Sequence, residues 1–211
     1  MPALRGPGGT AAKARVGLLG GSFNPAHGGH LHISRLALER LGLDQVWWLV
    51  SPQNPLKPAA GMAPLDKRLA RARAIVDDRR IVVTAIERDL GTRYAVDTLG
   101  LLKRRFPDTR FVWVMGADNL VQVPRWKRWR TVFRTVPIAV FARPTYSSRA
   151  LSGRAARRFA GARVRAARAG GLADLRPPAW VFLRTPLHGA SATRIRARRA
   201  AKGGRALGET E

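Results

Sequence analysis

The chain has 211 residues, enough for one well-buried α/β domain and too few for two ordinary ones. Its 39 lysines and arginines against 13 aspartates and glutamates give a formal net charge of +26, an excess that attracts nucleic acid, anionic membrane or anionic metabolites. Cysteine is absent, which excludes disulfides and thiolate chemistry, and no apolar run approaches the ~20 residues needed to cross a bilayer. Residues 1–15 are basic and acid-free, lack the apolar core of a secretory signal and show no amphipathic periodicity, so they read as a disordered leader. A first strand is expected at 16–19, a glycine-rich corner at 20–30 and a helix at 31–41. Further strand-like runs stand at 45–50, 81–86, 111–115, 137–142 and 180–183. Between them, 65–76 places Leu65, Leu69, Ala72 and Ile75 or Val76 at helical spacing, with Arg68, Arg71 and Arg73 pointing largely elsewhere. Segments 96–106 and 192–200 read similarly. Residues 147–176, rich in Arg, Ala and Gly, are expected to form a helix and a mobile loop, and 201–211 a flexible tail.

This alternation predicts a single α/β domain over residues 16–200: a Rossmann-like, doubly wound, mostly parallel sheet with helices on both faces. Ligands of such sheets sit beyond the carboxyl ends of the strands, where strand order reverses. The glycine-rich corner leaves the first strand at that edge, and the loops 51–57, 87–94 and 116–126 leave later strands there.

The corner reads Gly20-Gly21-Ser22-Phe23-Asn24-Pro25-Ala26-His27-Gly28-Gly29-His30. Without a Cβ, glycine lets main-chain amides approach an anion closely, and the dipole of the following helix favours negative charge at its amino terminus. His27 and His30 are three residues apart, so on a first helical turn they project from one face, where two imidazoles can donate hydrogen bonds to phosphate oxygens. A zinc site built from His27, His30, His32 and His188 is disfavoured, because neither a cysteine nor an acidic ligand lies near them in the sequence.

The His-x-Gly-His pattern behind a Gly-Gly-Ser-Phe-Asn-Pro turn resembles the HxGH nucleotidyltransferases, most closely the bacterial nicotinate-nucleotide adenylyltransferases. The resemblance implies transfer of AMP from ATP to nicotinate mononucleotide by in-line attack without a covalent intermediate, giving deamido-NAD and pyrophosphate. It assigns Gly20, Gly21, Ser22, Phe23 and Gly29 to ATP, with His27 and His30 on its phosphates. Ser191-Ala192-Thr193-Arg194-Ile195-Arg196 is similar to the family's Ser-x-Thr-x-Ile-Arg signature, in which Ser191 and Thr193 would flank a helix start and Arg196 would reach the β- and γ-phosphates. A capped basic helix on a solvated face has the same appearance. Gly116-Ala117-Asp118-Asn119 resembles the turn that places a carboxylate, here Asp118, against ribose, although Asp118 or Asn119 could equally form an Asx turn or helix cap.

Trp126 matches the family tryptophan that stacks on the pyridine ring, while Trp129, one turn on, is expected to pack inward. The segment with Thr92, Tyr94 and Ala95 looks like the loop that receives the nicotinate carboxylate through main-chain amides, Ala95 standing where threonine is frequent. Asn54 and Lys57 lie in a stretch similar to the loop that meets the mononucleotide phosphate. Mg²⁺ is implied by ATP and would bind chiefly through substrate phosphates. The expected partners are therefore small molecules, with no membrane and no specific nucleic acid, in a cytoplasmic protein whose oligomeric state is left open. The alternatives are an enzyme acting on nicotinamide mononucleotide or on both substrates, and a basic RNA-binding module that would account for the charge but not for the spacing of His27, His30, Asp118 and Arg196.

Overall fold

The structure, a computed structural model, describes residues 13–53 and 61–184. The first βα unit is β1 (Ala14–Gly21) followed by α1 (Gly28–Arg40), and the second is β2 (Gln45–Val50) followed by α2 (Leu65–Ile75). After β3 (Ile81–Thr84) come the single turn α3 (Ile86–Asp89) and α4 (Ala95–Arg105). β4 (Thr109–Gly116) leads into α5 (Ala117–Gln122), a 3₁₀ turn (Val123–Arg125) and α6 (Trp129–Thr135). The last third holds β5 (Ile138–Phe141), α7 (Ser147–Leu151), α8 (Arg154–Arg158), the short β6 (Arg163–Val164), a 3₁₀ stretch (Ala166–Asp174) and β7 (Trp180–Leu183).

These strands form one parallel sheet in the order β3-β2-β1-β4-β5-β7-β6. Strand order reverses between β1 and β4, so the right-handed crossovers place α1 and α2 on one face and α4 to α8 on the other. The pattern of β2 shows why the sheet is central. Its adjacent tryptophans are both fully buried because successive side chains point to opposite faces: Trp48, with Val46 and Val50, packs on Ile33, Ala37 and Leu69, whereas Trp47, with Leu49, packs among Leu99, Leu102 and Phe111. Burying each large apolar side chain contributes about 1.5–3 kcal/mol, and both indole N–H groups remain bonded, Trp48 to Ser34 Oγ at 2.7 Å and Trp47 to Gln45 Oε1 at 2.9 Å.

The structure corrects the sequence in several places. Residues 147–176 are not one helix and a mobile loop: they hold two short helices, an edge strand and two 3₁₀ stretches (Ala160–Ala162 and Ala166–Asp174), pinned by buried Ala150, Ala155, Phe159, Ala169 and Leu172. Ala and Arg dominate this stretch, so its apolar periodicity is too weak to see in one dimension. Arg68 does not point away from the core but is 1 % exposed. β3 ends at Thr84 instead of residue 86, as the Thr84 hydroxyl takes the Ile86 N–H at 3.1 Å and starts a turn. β1 begins two residues before the expected 16, held by the bond from the Arg15 N–H to Asp44 Oδ2 at 2.7 Å. The expected helix 192–200 and tail 201–211 lie outside the described residues, as do residues 1–12 of the expected disordered leader 1–15, whose Ala14 and Arg15 instead belong to β1. No helix among the described residues is long and apolar enough to cross a membrane.

Candidate active site

The glycine-rich corner turns at the switch point. Ser51 N–H bonds to Gly21 O at 2.9 Å, which seats the end of β2 beside the corner. Phe23 adopts a left-handed conformation (φ 47°), uncommon for a bulky residue. Its ring offsets that strain by packing 5.0 Å from Trp48 and 4.6 Å from His30, and only 2 % of it is exposed. His27 is the N-cap of α1 and His30 its third residue. His27 Nδ1 accepts the Gly29 N–H at 3.1 Å and His30 Nδ1 accepts the His27 N–H at 3.2 Å, a reciprocal capping box made with imidazoles. The rings lie 3.9 Å apart. With Nδ1 occupied as acceptor, each neutral ring carries its proton on Nε2, so the pair presents N–H donors, the chemistry that an anionic oxygen needs.

These histidines open onto a cavity of about 320 Å³ bounded by the ends of the central strands. Of the residues assigned from the sequence, Gly20, Gly21, Ser22, Phe23, His27, His30, Tyr94, Ala95, Gly116, Asp118 and Trp126 line it. Gly29 is buried behind them in the first turn of α1. Thr92 stands behind the wall, its hydroxyl 2.9 Å from Thr98 Oγ1. Asn54, Lys57, Ser191, Thr193 and Arg196 lie outside the described residues, as does His188.

Asp118 sits in the first turn of α5 but caps nothing: Gly116 is the N-cap and makes no side-chain bond. Arg143 Nε approaches Asp118 Oδ1 at 3.2 Å, and that buried oxygen accepts no hydrogen bond among the described residues. A Cβ at Gly116 would stand 2.7 Å from Arg143 Nε and collide with the Asp118 carboxylate, so a larger residue there would force this pair to shift. In the same cavity lining, Trp126 is half-buried and braced edge-on by Trp113, with ring centroids 6.2 Å apart and planes at 84°. Trp129 is buried in the core, as its position one turn on requires. Lys127 Nζ lies 4.5 Å above the Tyr94 ring and 3.1 Å from Asp97 Oδ2.

A model of the cytidylyltransferase-like family matches residues 18–198. Relatives from Parvibaculum lavamentivorans and Gluconacetobacter diazotrophicus, both designated "Probable nicotinate-nucleotide adenylyltransferase", are each 56% identical to the chain. The first match spans 87% of this chain and 92% of the relative, the second 90% and 88%. The chain belongs to the nicotinate-nucleotide adenylyltransferases. In fold it is similar to Plasmodium falciparum nicotinic acid mononucleotide adenylyltransferase, solved in complexes with APC and with NaAD. The TM-scores are 0.65 and 0.64, at 13% identity, over 87% of this chain and 83% of that chain.

Three site residues of this adenylyltransferase were not singled out in the sequence. Arg143 follows β5 at the same sheet edge, a position that the strand-end rule would have flagged. Arg68 sends its guanidinium into the core, where it donates to Ala63 O at 2.8 Å, Ser22 O and Ser51 O at 2.7 Å each and Pro52 O at 2.9 Å. Burial pushes this guanidinium below its ordinary pKa, and four carbonyl dipoles take the place of a counter-ion. Glu87, in the single turn α3 that follows β3, is 6 % exposed and borders the cavity. Burial raises its carboxyl above the usual range, against the opposing pull of hydrogen bonds from Ser51 and Thr98.

Proposed function

We propose that the chain transfers the adenylyl group of ATP to the phosphate of nicotinate mononucleotide. A phosphate oxygen of the mononucleotide attacks the α-phosphorus of ATP in line, the new O–P bond forms, the bond to the β-phosphate oxygen breaks, and pyrophosphate leaves with its electron pair. No side-chain nucleophile is needed, so catalysis is positioning and charge stabilisation. The Nε2–H groups of His27 and His30 would donate to the triphosphate, with the amides of Gly21 and Phe23 and the Ser22 hydroxyl beside them. Asp118 would accept the ribose hydroxyls. Trp126 would stack on the pyridine ring, and the amides at Tyr94 and Ala95, where α4 begins, would receive its carboxylate.

The observation that carries this reading is the imidazole pair at the start of α1, opening onto the same cavity as the Trp126 platform and the first turn of α4. Arg196, Ser191 and Thr193 are proposed to complete the triphosphate site, and Asn54 and Lys57 to meet the mononucleotide phosphate. Mg²⁺ is proposed to enter with ATP. The imidazoles present N–H groups, not lone pairs, so it would be held chiefly by phosphate oxygens and water, where it would neutralise charge on the leaving pyrophosphate. A cytoplasmic location and a preference for the acid over the amide belong to the same proposal.

Pyrophosphate release measured side by side with nicotinate mononucleotide and nicotinamide mononucleotide tests it. Turnover of the acid with weaker turnover of the amide is expected. Equal use of both would move the assignment to a dual-substrate enzyme, and salt-sensitive RNA binding without turnover would overturn it.

A further inference from the structure

Glu87 is a buried carboxyl at the cavity edge to which adenylyl transfer assigns no task. Its neighbours show what it joins. On one side Ser51, which lines the cavity beside Glu87 and whose hydroxyl pulls the carboxyl's pKa down, is tied by its N–H to Gly21 O and by its carbonyl to Arg68, which also holds Ser22 O. On the other side Thr98 Oγ1 lies 3.3 Å from Glu87 Oε1, 2.9 Å from Thr92 Oγ1 and 3.2 Å from Tyr94 O. The Glu87 main chain closes the loop, since its carbonyl accepts the Thr92 N–H at 2.9 Å and lies 3.4 Å from the Thr92 hydroxyl. One carboxyl thus bridges the glycine-rich corner and the turn from which α4 starts.

We infer that Glu87 is a positioning residue for the mononucleotide site: by joining Ser51 to Thr98 it fixes the first turn of α4, with Tyr94 and Ala95, relative to the phosphate corner. The inference rests on the adenylyl-transfer function proposed for the chain. Proton counting states the form in which the carboxyl acts. The hydroxyls of Thr92 and Thr98 carry two protons, yet between them they have four contacts: Glu87 Oε1, Tyr94 O, Glu87 O and each other. A proton on Glu87, donated to Thr98 Oγ1, lets Thr98 donate to Tyr94 O and brings the shortfall from two protons down to one, the Thr92 hydroxyl choosing between Thr98 Oγ1 and Glu87 O. The neutral acid also avoids setting a second negative charge beside an anionic pyridine substrate.

Other titrating and charged groups border the same cavity: His27, His30 and Tyr94, the Asp118 and Arg143 pair, and Arg93, Arg125 and Lys127. α3 adds Arg88, paired with Asp66 and Asp89, and α4 adds Asp97, paired with Lys127 and Arg128. α2 adds Arg68, bonded to carbonyls. Because all of these remain in a Glu87 variant, the test is a comparison of pH profiles between wild type and Glu87→Gln, in which their contributions cancel.

Steady-state kinetics at pH 6–9 are measured for wild type, Glu87→Gln and Glu87→Ala, varying each substrate in turn. Leaving the buried hydroxyls without their partner, Glu87→Ala is expected to raise KM for nicotinate mononucleotide about tenfold or more, with kcat and the KM for ATP within about threefold. Glu87→Gln, an amide donor of the same shape, should return KM to within about threefold of wild type and abolish the rise of wild-type KM towards high pH. The same three proteins are melted over pH 5–9. Because the folded carboxyl has the higher pKa, its stabilising contribution is complete below the unfolded value and is lost as pH rises, so wild type should weaken relative to Glu87→Gln at higher pH.

Glu87→Gln as impaired as Glu87→Ala would mean that an ionised carboxylate is needed, and would overturn the inference. So would equal effects on both substrates, or parallel pH profiles. If Glu87→Ala does not fold, Thr98→Val, which removes the bridged hydroxyl, takes its place with the same expected split. Wild type that turns over neither mononucleotide would sink the functional reading instead, and the melting comparison would still judge the carboxyl.

Discussion

Replacing Arg68 by methionine removes a buried cation that bonds only to main chain. Four hydrogen bonds from a charged donor, at about 1.5 kcal/mol each, together contribute about 6 kcal/mol, and returning the guanidinium to water in the unfolded state offsets several kcal/mol of that. The net loss is about 2–4 kcal/mol. For a chain of this size it corresponds to a drop in Tm of roughly 4–16 °C. The consequence is also kinetic, because the four carbonyls belong to the glycine-rich corner, the end of β2 and the segment before α2. Once released, Ser22 and Ser51 lose their shared anchor, and kcat/KM should fall about 10- to 100-fold with both substrates affected. Calorimetry or thermal circular dichroism, run beside a pyrophosphate-release assay, measures both effects. Arg68→Lys should fall between the two proteins, since an ammonium has three donors and cannot span the same four carbonyls. A methionine variant that melts within about 1 °C of wild type would refute the view that Arg68 braces the corner.

His30→Ala should cut kcat by about 10²–10³-fold, measured as pyrophosphate release, while losing its half of the α1 capping box at about 1 kcal/mol; near-normal turnover would remove it from the triphosphate site. Trp126→Ala should raise the KM for nicotinate mononucleotide about tenfold and spare that for ATP, whereas equal effects would mark a purely structural residue. Gly116→Ala needs no unusual backbone angle, as φ is −80°, so its effect isolates the clash with Asp118 and Arg143. It should lower kcat/KM about tenfold or more with a small change in Tm, and full activity would show that the pair can shift freely. Arg196→Ala is expected to raise the KM for ATP about tenfold, more than that for the mononucleotide.

The features legible in the sequence are those whose cause is local. A glycine run after a strand, two histidines three apart and a tryptophan ahead of a helix keep their geometry wherever the chain goes, because the spacing alone sets which groups share a turn. The apolar runs of β2, β4, β5 and β7 were legible for the same reason: a strand covered on both faces leaves no room for polar residues. The tertiary structure alone decided what depends on residues far apart in sequence. Arg68 looked solvent-facing on its helix until residues 22 and 51 brought their carbonyls to it, and Glu87 gained a place in the site only when Ser51 and Thr98 closed around it. Arg143 met Asp118 because β5 lies beside β4, and β6 became an edge strand through pairing with β7. A single helix or strand pattern records which face is apolar; it does not record which distant polar groups will meet a buried side chain once water has been excluded, and those contacts are what made these three residues parts of the site.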